Sequence, residues 1–109
     1  MDVFDPSTNA WTRAADLPFA RSHNHTSTFL FNGKLGIVGG QANGTTGPIT
    51  IADVLLYDPA ANKWNAIPSL PEPRQATVAQ AINGDLIVTT GTPQGIDPKA
   101  NTWRMKLPA

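Results

Sequence analysis

The residues best placed to do chemistry stand in His23-Asn24-His25. Imidazoles two positions apart on a strand share one side, a spacing that a metal site can use. A site needs further ligands, and the nearest acid before the pair is Asp16. The corresponding positions later in the chain hold Ala76 and Val78, so the pair is not repeated and no metal is expected. Ser22 lacks an acid to orient either histidine and lacks the strained turn that lifts a nucleophilic serine, so no catalytic residue is expected. The run Gly39-Gly40-Gln41-Ala42-Asn43-Gly44-Thr45-Thr46-Gly47 has neither the Gly-Lys-Ser/Thr ending nor the following helix that aim backbone donors at phosphate. It reads as a surface loop, and no cofactor is expected. Asn24-His25-Thr26 fits a glycosylation sequon, but Asn24 falls in or beside a predicted inner strand, where modification is not expected.

What must position these residues is a set of short strands. Ten Pro, nine Gly and many Thr and Asn leave no window of sustained helical period in the 109 residues, so the chain reads as all-β. Eight basic residues balance eight acidic ones, which gives no basic surface for nucleic acid or membrane. No apolar run reaches the ~20 residues of a membrane-spanning helix. The absence of cysteine excludes disulfides, thiolate zinc sites and cysteine nucleophiles, and assigns no compartment.

The chain is organised around Val54-Leu55-Leu56-Tyr57-Asp58-Pro59 followed by Asn62 and Trp64. Asp-Pro ends a strand in a turn, Asn tolerates the left-handed conformation that a hairpin loop needs, and Trp opens the return strand. The same device occurs at Phe4-Asp5-Pro6 with Asn9 and Trp11, and at Ile96-Asp97-Pro98 with Asn101 and Trp103. In each copy Asn follows Asp by four positions and Trp follows Asn by two. Between the hairpins, His23 to Phe31 and Leu35 to Gly40 flank Asn32-Gly33, and Ala76 to Ile82 and Leu86 to Gly91 flank Asn83-Gly84. Asn-Gly is the strongest short hairpin signal. Gln41 to Pro48 reads as loop, and Ile51 to Tyr57 as the strand after it. Trp11 and Trp64 lie 53 positions apart, Trp64 and Trp103 only 39. The deficit falls after Gly91, so the last unit is expected to keep only a stub of its third strand near Gly95-Ile96.

A period near fifty residues with four short strands per unit points to propeller blades, and the chain resembles the Kelch family. The matching pieces are Gly39-Gly40, the Tyr57 and Trp64 hairpin, and the Leu-Pro-x-x-Arg turns at Leu17 to Arg21 and Leu70 to Arg74. Phe4 stands where Tyr is usual, Thr90-Gly91 replaces the Gly pair, and Ile96 replaces the third Tyr. The resemblance implies four-stranded antiparallel blades in an incomplete ring: a half-blade over 1–18, a full blade over 19–71, and a second blade with a vestigial third strand over 72–109. It also implies a non-enzymatic module that binds a protein or peptide through loops at the channel end. Carried over by position, the binding residues are Arg21, Ser22, His23, Arg74 and Gln75. The alternative is part of a sugar-acting propeller enzyme resembling galactose oxidase or sialic-acid epimerases. The oxidase's copper chemistry requires a Tyr-Cys crosslink, and this chain has no Cys and only Tyr57. About two and a half blades leave strand edges and apolar faces open, so self-association, or continuation into a longer propeller, is expected.

Overall fold

The Asp-Pro turns form hairpins where there is room for a strand before them. A computed structural model describes residues 1–108. In it, β1 (Asp2–Asp5) pairs with β2 (Ala10–Arg13), and Phe4 lies opposite Trp11. The second copy joins β5 (Gly47–Asp58) to β6 (Lys63–Ile67), with Tyr57 opposite Trp64. Both aromatic pairs have ring centroids 5.3 Å apart. Asn9 and Asn62 take the left-handed conformation that the spacing predicts, with φ of 53° and 50°. The Asp side chains accept hydrogen bonds from the turns, Asp5 from Ser7 and Asp58 from the Ala60 amide. The Ser7 hydroxyl and amide hold the Asp5 carboxyl below its ordinary pKa.

The two Asn-Gly turns join β3 (Thr28–Phe31) to β4 (Lys34–Gly44) and β7 (Val78–Ile82) to β8 (Asp85–Thr89). All four turn residues have positive φ, the two-residue geometry whose twist matches that of the strands. One antiparallel sheet therefore runs β3-β4-β5-β6, and a three-stranded one runs β7-β8-β9, with β9 at Thr102–Lys106.

Three expectations give way to the structure. The third Asp-Pro copy forms no hairpin: Ile96 is 92% exposed, and β9 pairs directly with β8, Trp103 opposite Val88. Asp97 lies only six positions after Gly91, against eighteen from Gly40 to Asp58, so no strand can run back along β8 before the turn. The Trp-bearing strand itself takes the place beside β8 that β5 holds beside β4. The expected loop Gln41 to Pro48 is instead the far end of the β4–β5 hairpin, paired as far as Gly44 opposite Gly47. The strands expected from His23 and Ala76 begin only at Thr28 and Val78, because His23 and Ala76 have φ of 59° and 51° and break the extended backbone. His23 and His25 thus do not stand on one side of a strand.

The core lies between the two larger sheets. Phe29, Val38, Val54 and Leu56 meet Ala79, Leu86, Val88 and Leu107, all buried. Those side chains are apolar on the faces that meet, and burying each contributes about 1.5–3 kcal/mol for the larger aliphatic and aromatic ones. The β1–β2 hairpin joins the four-stranded sheet through Asn62 and Trp64: the Asn62 side chain accepts the Ala15 amide at 2.8 Å, and Trp64 Nε1 donates to the Ala15 carbonyl at 3.1 Å. Trp64 is half-buried there, whereas Trp11 is 70% exposed, since no comparable segment covers it among the described residues. Asp16, on the same connection, is held below its ordinary pKa by hydrogen bonds from the chain's amino terminus and from Arg13.

Close approach of the two larger sheets falls on the glycine pair. The Gly40 amide donates to the Arg74 carbonyl at 2.9 Å, and a β-carbon on Gly39 would stand 2.3 Å from the same carbonyl oxygen. In the second unit Thr90 occupies the place of Gly39 and keeps its left-handed backbone, with φ of 62° against 57°. A β-branched residue is strained in that region. Thr90→Gly is expected to stabilise the chain by about 0.5–1 kcal/mol, the relief of strain exceeding the entropy that glycine adds to the unfolded chain. A rise in the urea midpoint at unchanged slope checks it.

Candidate functional site

The five residues carried to a binding surface separate into two layers. Ser22 follows Arg21, and its backbone pairs with Gln41 in both directions, each hydrogen bond 2.8 Å. Gln75 follows Arg74 and pairs likewise with Thr92, at 2.9 and 3.0 Å. Each unit thus ties the residue after its arginine to the residue after its glycine pair. The two units are then laced together: Gln41 Nε2 donates to Gln75 Oε1 at 3.1 Å, and the Ala76 amide donates to the His23 carbonyl at 2.7 Å. Ser22, His23 and Gln75 therefore come together at one end of the two sheets, with Gln41 between them. Ser22 and His23 are exposed, Gln75 is 8% exposed, and the Ser22 hydroxyl lies 2.8 Å from His23 Nδ1.

Arg21 and Arg74 form the layer beneath, with their side chains 1% and 0% exposed. Arg21 donates to both carboxylate oxygens of Asp53, at 2.6 and 2.9 Å, and to the Gly39 carbonyl at 3.3 Å. Its guanidinium carbon sits 4.6 Å from the centre of the Phe19 ring. Arg74 donates to the Pro73 carbonyl, to Glu72 and to the Asn101 side chain at 2.8, 3.0 and 2.9 Å, and lies 4.7 Å from the centre of the Trp103 ring. These arginines do not face solvent. They are drawn inward because each finds an acid, loop carbonyls or amides, and an aromatic face within the fold, a set of partners that suits the planar guanidinium.

Gln41 was not singled out by the sequence reading. The signal that could have found it is its position directly after the glycine pair, where Thr92 follows Gly91 in the second unit. Among the described residues, no group of three His, Cys, Asp or Glu is placed to hold a metal ion.

The arrangement has relatives. The chain is 36% identical over 81% of its length to an F-box/kelch-repeat protein of Arabidopsis thaliana, covering 22% of that protein. The chain belongs to the Kelch-repeat family. Kelch-like ECH-associated protein 1B of Danio rerio is 29% identical over 84% of the chain, which covers 15% of it. Among solved structures, that of YjhT superposes with a TM-score of 0.67 at 27% identity, over 78% of this chain and 25% of that one. No protein-family model matches the sequence. The chain spans less than a quarter of the length of the curated relatives it matches. As a Kelch-repeat chain it is built of antiparallel propeller sheets whose ring, in the described residues, is not closed.

Proposed function

We propose that this Kelch-repeat chain is a non-enzymatic module that binds a protein or peptide at the loop end formed by Ser22, His23, Gln41 and Gln75. Its units are a half-blade over 1–18 and two blades over 19–71 and 72–109. The observation that carries the reading is the lacing of two blades by Gln41 and Gln75, which presents exposed Ser22 and His23 on a backbone fixed from both sides. Contacts in proteins concentrate on such loops held by a rigid scaffold. Arg21 and Arg74 serve this surface from below, by fixing the turns that carry Ser22 and Gln75. The Danio rerio relative is named for its association with ECH, which agrees with a binding role.

Arrays of peptides and glycans probed with labelled chain test the reading. Saturable peptide binding is expected, and the double change Ser22→Ala with His23→Asn should weaken it by roughly tenfold. The melting temperature should move by no more than about a degree or two, since both side chains are exposed and Asn keeps the left-handed backbone of His23. Glycan binding accompanied by turnover would replace this reading with an enzymatic one.

A further inference from the structure

The segments that frame Ser22 and Gln41 carry no uncompensated charge, although two arginines stand beneath them; exposed Asp97 and Lys99 lie on the connection to β9, where the Lys99 amide donates to the Gly91 carbonyl at 2.9 Å. Arg21 is matched by Asp53 and Arg74 by Glu72. From Gly39 to Ala52 no side chain is charged, and the same holds from Gln75 to Gly84 and from Val88 to Ile96. Ser22 to Gly33 adds only the two histidines to this neutral set. The surface therefore offers amides and hydroxyls, those of Ser22, Gln41 and Asn43 foremost.

Beside these groups opens an apolar cleft of about 350 Å³ lined by Phe19, Ala20, Ala42, Asn43, Ile49 and Ile51. Ala20, Ala42 and Asn43 also line the hollow that reaches Ser22 and Gln41, so cleft and polar surface are continuous. Phe19 and Ile49 are each 45% exposed, a large apolar display for two residues lining one cleft. Phe19 is held in place, because its ring lies against a guanidinium that Asp53 fixes with two hydrogen bonds.

We infer that this loop end takes an uncharged peptide segment, which sets an aliphatic side chain between Phe19 and Ile49 and its amide groups against Gln41 and Ser22. The inference rests on the interaction-module reading and names its ligand class. An acidic segment is disfavoured, because a carboxylate seated in the cleft would lose water without meeting a cation among the residues that line it. A neutral glycan would satisfy the amides but brings no aliphatic side chain to the cleft.

Two matched panels of acetylated, amidated peptides test it, one wholly uncharged with Leu, Ile or Val at varied positions, the other with two polar residues replaced by Glu. Both are titrated against the whole chain by fluorescence anisotropy. Uncharged binders are expected, weakened roughly tenfold by the Glu replacements and unaffected by added salt. Ile49→Ser should weaken them by roughly fivefold or more, and Lys63→Ala, at the exposed start of β6 and outside the cleft lining, should not. Tighter binding of the Glu panel, lost in salt and sensitive to Ser22 and His23, would overturn neutrality while leaving the interaction module standing. Competition by a neutral oligosaccharide for the same residues, or indifference of the uncharged binders to Ile49→Ser, would also overturn it. Failure of both panels and of the arrays would remove the inference and the reading together.

Discussion

Gly39→Ala is expected to destabilise the chain by about 3–5 kcal/mol, a large part of a small domain's total stability. Three costs act together. The left-handed backbone, φ of 57°, charges any residue with a β-carbon about 1–2 kcal/mol. The new methyl group would stand 2.3 Å from the Arg74 carbonyl oxygen and 3.0 Å from that of Ile51, so backbone must move, and overpacking of this kind costs about 1–3 kcal/mol. Movement of the Arg74 carbonyl then weakens its hydrogen bond from the Gly40 amide, worth about 1 kcal/mol. Gly33→Ala separates these terms, since Gly33 has a φ of 73° but nothing within 4 Å of its would-be β-carbon. It should cost only the backbone part, about 1 kcal/mol. Urea unfolding of the two variants is the measurement, and equal midpoints would mean that the two sheets do not meet at Gly39.

The hairpin spacing and the turns were readable because they rest on local chemistry. Asn-Gly fixes a two-residue turn whatever surrounds it, and Asp-Pro followed by Asn and Trp fixes the outer hairpin at 5–10 and 58–63. The same local signal misled at 96–103, where its turn residues are intact but there is no length for the strand that should precede them. Chain length between signals, rather than the signals themselves, decided that sheet. The stretch after Gly40 read as loop for the opposite reason: its Asn, Gly and Pro are poor strand formers, yet pairing carried in from Leu35 to Val38 extends the ladder to Gly44.

Of the candidate site, only the grouping of three side chains was readable. Position in the repeat placed Ser22, His23 and Gln75 in one neighbourhood, and repeat geometry keeps them there. The direction in which an arginine points depends on partners far off in sequence. Arg21 finds Asp53 thirty-two residues away, and Arg74 finds Asn101 at twenty-seven. No pattern around Leu17-Pro18 or Leu70-Pro71 announces those partners, so a surface role and a buried one look alike until the fold is built.

Arg74→Ala is expected to cost about 3 kcal/mol, and the origin of that cost is open to measurement. The side chain is fully buried, lies against Trp103, and bonds the Pro73 carbonyl and the Asn101 side chain, while its acid partner Glu72 is 62% exposed. An ion pair with so exposed a partner is screened by water and contributes about 0–1 kcal/mol. The larger part must come from the cavity left under Trp103 and from the carbonyl and amide oxygens deprived of a donor. Glu72→Gln should therefore shift the urea midpoint little, and added salt should not rescue Arg74→Ala. Arg74→Lys should recover less than half of the loss, because an ammonium cannot span Pro73 and Asn101 while lying flat on the indole. If Glu72→Gln proves as damaging as Arg74→Ala, the charge pair rather than the packing holds the turn that carries Gln75.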